Sequence, residues 1–206
     1  MIDVFYINLD ERTDRRDAVE TQLKMINCTF ERVPAIKHTP GYIGCSASHI
    51  RCLELAKERN LPRVMIVEDD LQWVERPSVI NSLLSNLPPH DAVVLAPIFQ
   101  KGSRVSRVDS RFIAGNVCQT ALAYICENHY YDRLLQNFRE GYMGLCQTNN
   151  HDIFCVDQYW KRLHTVDNWI FAHPTLAVQT PGVSNIEGKH VDYTAPYFNS
   201  IVFSSS

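Results

Sequence analysis

The chain has 206 residues, enough to bury a real core and the size of one domain. Hydrophobic residues make up 45% and charged residues 21%, an ordinary balance for a soluble globular protein. Its 20 basic and 23 acidic residues leave a net charge of -3, which gives no global electrostatic case for nucleic acid or a membrane surface, so any partner must be recognised locally.

Seven cysteines, at 28, 45, 52, 118, 126, 146 and 155, include no Cys-x-x-Cys pair. They read as small buried hydrophobes kept reduced, against a disulfide framework or a zinc ribbon. The chain opens Met1-Ile2-Asp3 without the basic segment and apolar run of a signal peptide. No stretch reaches the ~20 apolar residues of a membrane span, so the expectation is a cytoplasmic protein, although a piece of a larger anchored or secretory-pathway protein would read the same.

Val4-Phe5-Tyr6-Ile7 is the first strand and runs into Asn8-Leu9-Asp10. The polar run to Asp17 opens a helix with Asp14 as N-cap and Ala18, Val19, Leu23 and Ile26 as its apolar stripe. Phe30 to Val33 is a second strand ended by Pro34, and His38-Thr39-Pro40-Gly41 is a loop by its turn residues. From Ser46 to Glu58, Ala47, Ile50, Leu53 and Ala56 recur at helical spacing, and Asn60-Leu61-Pro62 stops that helix. Arg63-Val64-Met65-Ile66-Val67 then forms a buried strand that runs straight into Glu68-Asp69-Asp70.

A short amphipathic helix over Val79, Ile80, Leu83, Leu84 and Leu87 is closed by Pro88-Pro89, and Ala92 to Ala96 is another buried strand. Residues 98–110 read as a mobile loop over the binding edge. Gln119 to Cys126 is a strand, Tyr131, Leu134, Leu135 and Phe138 mark a helix ended by Gly141, and 141–151 is a polar connection. Asp157 opens a helix that buries Tyr159, Trp160 and Leu163; Trp169 to Ala172 and Leu176 to Val178 are late strands, and the tail from Gly182 is irregular. Apolar strands alternating with amphipathic helices predict a doubly wound α/β sheet.

Three adjacent carboxylates at the end of a buried strand repel one another unless they are well solvated or share a cation. A divalent metal is the economical answer, and in open α/β sheets that edge is where ligands bind. If the chain stays extended, side-chain alternation puts Glu68 and Asp70 on one side, as the clamp, with Asp69 on the other. The competing reading is an acidic loop cap after a core strand.

In order along the chain, Tyr6-Ile7-Asn8-Leu9-Asp10-Glu11-Arg12-Thr13-Asp14-Arg15-Arg16, Arg32-Val33-Pro34-Ala35, Gly41-Tyr42-Ile43-Gly44-Cys45-Ser46-Ala47-Ser48-His49, the triplet strand, and Gln179 through Ser184-Asn185-Ile186 resemble the glycosyltransferase family 25 proteins, which include lipooligosaccharide and collagen galactosyltransferases. The resemblance covers most of the chain, more faintly between about 95 and 145. It implies a GT-A type, Rossmann-like, mostly parallel sheet flanked by helices, as a single domain over 1–206 with a donor half over about 1–100 and an acceptor half over about 101–200. It also implies a UDP-sugar donor, usually of galactose or another hexose, inverting transfer to a glycan, lipid-linked or protein hydroxyl, and an Asp-x-Asp-like element that binds Mn2+ or Mg2+. Here that element is Glu68-Asp69-Asp70, with Glu at the first position in place of Asp. A non-catalytic homologue that binds a nucleotide sugar or a glycan is the alternative.

Asp70 is the expected main metal ligand and Glu68 a second ligand or ribose contact, with Asp69 on ribose or a backbone amide. Asn8, Leu9, Arg12 and Arg15 lie just beyond the first strand on the same edge, where Arg suits phosphate and Asn the edge of a uracil; otherwise the arginines are a solvated helical turn pairing with Asp14 and Asp17. His49 follows a small-residue turn whose amides could face the donor, or is a structural hydrogen-bonder. Asp157 is the candidate base for the acceptor hydroxyl and Asp152 its reserve, against an ordinary N-cap. His190 would complete the metal shell or lie in a solvated tail.

Overall fold

The computed structural model describes residues 2–115, 118–183, 188–199 and 201–203. Its elements in chain order are β1 (Asp3–Asn8), α1 (Thr13–Met25), β2 (Thr29–Pro34), α2 (Gly41–Glu58), β3 (Arg63–Glu68), β4 (Leu71–Trp73), α3 (Pro77–Ser85), β5 (Ala92–Val94), β6 (Ile98–Phe99) and β7 (Arg104–Arg107). There follow β8 (Phe112–Gly115), β9 (Cys118–Gln119), β10 (Ala123–Glu127), α4 (Tyr131–Thr148), α5 (His151–Phe154), α6 (Val156–Tyr159), β11 (Trp169–Ala172), β12 (Ala177–Gln179), β13 (Gly182–Val183), β14 (His190–Val191) and β15 (Val202–Phe203).

The expected α/β architecture is present. Nine strands form one sheet in the order β15-β7-β8-β11-β5-β10-β3-β1-β2. Strands β2, β1 and β3 are parallel, with Ile7 opposite Glu68 and Asn8 opposite Pro34, so the carboxyl ends of all three open on one edge. The sheet is mixed beyond them, because β10 enters antiparallel between β3 and β5. This direction matters for the site: it brings the residues that precede β10 to the same edge, where the Glu68 amide donates to the Leu122 carbonyl at 2.9 Å.

Alternation along the central strands builds two cores. Phe5, Ile7, Val64 and Ile66 pack on one face with Leu53, Ala56, Leu134 and Phe138 of α2 and α4. Val4, Tyr6, Met65 and Val67 pack on the other with Val19 and Leu23 of α1 and Ile80 of α3. Val64 to Val67 are fully buried, each worth roughly 1.5–3 kcal/mol by removal from water, which is why a continuous apolar run was the clearest strand in the sequence.

Several expectations are corrected. Helix α1 is capped at Arg12, with Asp14 in its first turn, and Ala18 of the expected stripe is exposed. Helix α2 starts at Gly41, inside the expected loop; only glycine fits at 44, where a Cβ would lie 2.1 Å from the Ile36 carbonyl oxygen. The segment read as a mobile loop contains β6 and β7, and β7 pairs with β8 and β15 at the sheet edge. Helix α4 runs straight through Gly141 to Thr148 and stops at Asn149, whose φ of 56° is left-handed. Gly141 is there for close approach: a Cβ would stand 3.0 Å from the Phe154 carbonyl oxygen and 3.1 Å from Tyr159 Cβ. The tail expected to be irregular carries β13, β14 and β15. The Ser184-Asn185-Ile186 piece of the resemblance and the last residues of the tail lie outside the described residues. Among the described residues, no helix is long and apolar enough to cross a membrane.

Candidate functional site

Two clefts open at the carboxyl edge of β1 and β3. The first, of about 260 Å³, is lined by Asn8, Leu9, Arg15, Cys45, His49 and all three of Glu68, Asp69 and Asp70, with Gln179, Thr180, Val191 and Tyr193 opposite. The second, of about 310 Å³, is lined by Tyr42, Gln119, Thr120, His151, Asp152, Asp157 and Gln158. Cys45, Glu68, Gln179 and Tyr193 line both, so the clefts meet at Glu68.

The chain does not stay extended through the triplet. Strand β3 ends at Glu68, and Asp69 and Asp70 form a turn into β4, fastened by the Thr180 amide donating to the Asp70 carbonyl at 2.7 Å. Asp69 and Asp70 therefore converge rather than alternate: Arg15 Nη1 donates to Asp69 Oδ1 at 3.0 Å and Asp70 Oδ2 at 3.1 Å. Burial, then the charge of Glu68, pushes Asp70 up to about 7 against the pull of Arg15. Burial also raises Asp69, opposed by its bonds to Asn8 and Arg15. Asp70 Oδ1 is buried with no hydrogen-bond partner among the described residues. A hard divalent cation fits this arrangement, since it would satisfy that oxygen and relieve the repulsion that burial amplifies.

Asn8 is 1% exposed and its side chain is engaged within the protein. Its amide nitrogen donates to Asp69 Oδ2 at 2.8 Å and the Arg12 carbonyl at 3.0 Å, while its oxygen accepts from Arg32 Nε at 3.0 Å. Asn8 thus orients Asp69, where the sequence suggested a base-reading contact. Arg12 does not line the first cleft; its Nε and Nη2 fork onto Asp14 at 3.0 and 2.8 Å, the ion-paired helical turn that was the competing reading. Of the two, Arg15 lines the first cleft and meets its carboxylates, and its Nη2 donates at 3.0 Å to the Val183 carbonyl that Arg12 Nη1 also reaches at 3.3 Å.

His49 is fully buried between Tyr124 Oη, 3.1 Å from Nδ1, and Glu68 Oε1, 3.2 Å from Nε2. It is both a hydrogen-bonded structural histidine and part of the cleft wall. Cys45, one turn earlier on α2, puts its Sγ 3.8 Å from the same Glu68 oxygen. Burial, then the charge of Glu68, raises the Cys45 thiol well above its usual value.

Asp157 lies across the Glu68 junction in the first turn of α6, not at its cap, which is Cys155. Its Oδ2 accepts from the Thr120 amide at 3.1 Å. Thr120 is held at a φ of 76°, rare for a β-branched residue and the kind of strain that collects at binding sites. Burial raises the Asp157 carboxyl above its usual range, against that hydrogen bond. Asp152 lines the same cleft, whereas His190 is exposed and lines neither.

The residues that sequence reasoning missed are Cys45, Thr120, Thr180 and Tyr193. Cys45 and Thr180 sat inside the matched motifs with no role assigned to them. Thr120 and Tyr193 carried no local signal, because folding alone brings them to Glu68.

The sequence profile of Glycosyltransferase family 25 (LPS biosynthesis protein) matches residues 37–97, the span that holds α2, β3 and the acidic turn. A protein of Haemophilus influenzae named "Putative glycosyltransferase" is 44% identical over 59 residues, which span 29% of this chain and 21% of that protein. The fold is similar to a glycosyltransferase involved in the glycosylation of the major capsid of PBCV-1, with a TM-score of 0.55 and 11% identity over 90% of this chain and 95% of that one. It is also similar to the glycosyltransferase GlyE of Streptococcus pneumoniae TIGR4, with a TM-score of 0.50 and 8% identity over 84% of this chain and 45% of that one. The likeness to glycosyltransferase family 25 thus rests on residues 37–97, across α2 and the acidic turn, and the fold around them is GT-A-like α/β.

Proposed function

We propose that the chain is a metal-dependent glycosyltransferase that moves a hexose, galactose or glucose, from a UDP-sugar to a hydroxyl of a glycan, lipid-linked or protein acceptor, with inversion. One observation carries this reading: a cleft holding three carboxylates and a cleft holding the half-buried Asp157 share a wall at Glu68.

The first cleft takes the donor. Asp70, with Glu68 as second ligand, would hold Mn2+ or Mg2+, and the bound ion would stabilise charge growing on the departing diphosphate. Arg15, freed from Asp69 and Asp70 by that ion, is placed to offer its planar fork to a phosphate. Asn8 keeps Asp69 aimed into the cleft. The second cleft takes the acceptor. Asp157 accepts the hydroxyl proton as the acceptor oxygen bonds to the anomeric carbon, and the bond from that carbon to the donor phosphate breaks with its electron pair leaving on UDP. Burial suits Asp157 to the task by making it a stronger base than a solvated aspartate.

The test is UDP release from a panel of UDP-hexoses with and without Mn2+. Release that requires the metal and is lost in Asp70→Ala is expected; release indifferent to both overturns the reading. Donor binding without turnover is the second reading, favoured because Arg15 already offsets Asp69 and Asp70. Calorimetric binding of a UDP-sugar by a protein that turns over with no acceptor would select it.

A further inference from the structure

Glu68 has partners on α2 that the transfer reaction does not use. His49 Nε2 and Cys45 Sγ stand 3.2 and 3.8 Å from Glu68 Oε1, and the three ligating atoms lie within 4.8 Å of one another. A tetrahedral zinc centre with metal–sulfur bonds near 2.3 Å and metal–nitrogen or metal–oxygen bonds near 2.0 Å needs ligand-to-ligand edges of roughly 3.3–3.6 Å. The two edges that meet at Glu68, 3.2 and 3.8 Å, are close to that before any ion arrives.

We propose that Cys45, His49 and Glu68 form a three-ligand site for a borderline-soft divalent cation of the Zn2+ class, its fourth position open to the clefts. Cys45 and His49 sit four residues apart on α2, which puts them on one face of the helix. The other nitrogen of His49 is held by Tyr124 Oη at 3.1 Å, an outer contact that fixes the ring with Nε2 toward Glu68. Cys45 and Glu68 line both clefts and His49 lines the first, so a cation has an entry path and a free position for water or ligand. A thiol–imidazole–carboxylate set selects against Mg2+ and Mn2+, which prefer oxygen. Binding replaces the thiol proton: the metal–sulfur bond forms, the S–H bond breaks, and the proton passes to water. The bound charge is then balanced by one thiolate and one carboxylate. Glu68 is shared with the oxygen site around Asp70, so the two kinds of cation compete for one carboxylate.

The site needs neither donor nor turnover, and its test is independent of the transferase reading. Metal-free protein is titrated with Co2+. One equivalent is expected to give a near-ultraviolet thiolate-to-cobalt band and the visible bands of a tetrahedral centre, both removed by stoichiometric Zn2+ and unaffected by excess Mg2+. Cys45→Ser is expected to lose the thiolate band and weaken Zn2+ binding at least about tenfold, the scale on which even outer partners of a metal act. Glu68→Gln keeps the band and weakens binding, and Cys146→Ser, which alters an exposed cysteine, changes neither. Absence of a thiolate band in the unmutated protein, its survival in Cys45→Ser, or unchanged Zn2+ affinity in Glu68→Gln would leave only a hydrogen-bonded triad and overturn the proposal.

Discussion

The Arg15 guanidinium stands 3.1 Å from the Asp70 carboxylate, and the same nitrogen reaches Asp69 at 3.0 Å. One fixed cation therefore offsets two largely buried carboxylates, the charge that the proposed divalent ion would supply. Replacing Arg15 with Gln leaves both uncompensated. Metal-free protein at pH 8 is expected to lose about 3 kcal/mol of stability, the cost of breaking a largely buried pair. Added Mn2+ is expected to raise Tm more in Arg15→Gln than in the unmutated chain. Thermal unfolding of both proteins with and without Mn2+ measures this, and an equal rise in the two means that Arg15 is not standing in for the ion.

Asp157 lines the second cleft and not the first. Asp157→Asn keeps the shape and can still lie beside the Thr120 amide, but it has no basic oxygen. It is expected to lower acceptor-dependent UDP release by about 100-fold or more while leaving the donor Kd unchanged. Turnover and calorimetric donor binding, measured on the same preparation, separate the two effects. A loss of donor affinity with turnover preserved at saturation would give Asp157 a binding role instead.

How far the sequence reached depends on whether a feature is set locally. Strand β3 and its carboxylates were legible because four fully buried residues leave no polar interruption. The expectation that the chain stays extended through the triplet failed because the turn after Glu68 is tied by Thr180, a residue far along the chain, so Asp69 joins Glu68 and Asp70 in the first cleft. Arg12 and Arg15 look equivalent in sequence; Asp14 captures the first, and the inward face of α1 delivers the second to Asp69. The junction of the clefts was illegible altogether, since it depends on β10 entering antiparallel and bringing Thr120 to the edge where β3 ends.

Gly141 shows the same limit from the side of packing. Glycine late in a helix-like pattern reads as a stop, yet here it lets α4 approach the α5–α6 segment that carries Asp157. A methyl group at 141 must displace the Phe154 carbonyl or Tyr159, because both lie within 3.1 Å of the Cβ position. Overpacking of this kind costs about 1–3 kcal/mol, partly offset by about 1 kcal/mol of helix propensity. Gly141→Ala is expected to lower stability by up to about 2 kcal/mol and to raise the acceptor KM with donor affinity intact. Urea unfolding and paired donor and acceptor titrations check it, and an unchanged acceptor KM would separate α4 packing from the second cleft.

His164 is expected to govern much of the protein's sensitivity to acid. It is 5% exposed, its ring lies 4.8 Å from Trp169 and 5.0 Å from Phe171, and neither ring nitrogen has a hydrogen-bond partner among the described residues. Burial, then the nearby charge of Lys161, lowers its pKa from 6.5 to about 3. The folded protein therefore keeps the ring neutral over a range in which the unfolded chain binds a proton. The stability this group contributes is fully present above about pH 6.5 and is lost progressively as pH falls toward 3, on the order of 5 kcal/mol in all. Leucine fills the site without a titrating nitrogen, so His164→Leu is expected to flatten that part of the profile whatever the carboxylates contribute, because they are common to both proteins. Urea unfolding free energies at pH 7 and pH 4 decide the matter. Parallel losses in the two proteins would mean that His164 escapes to solvent and takes up its proton without unfolding the core around Trp160 and Trp169.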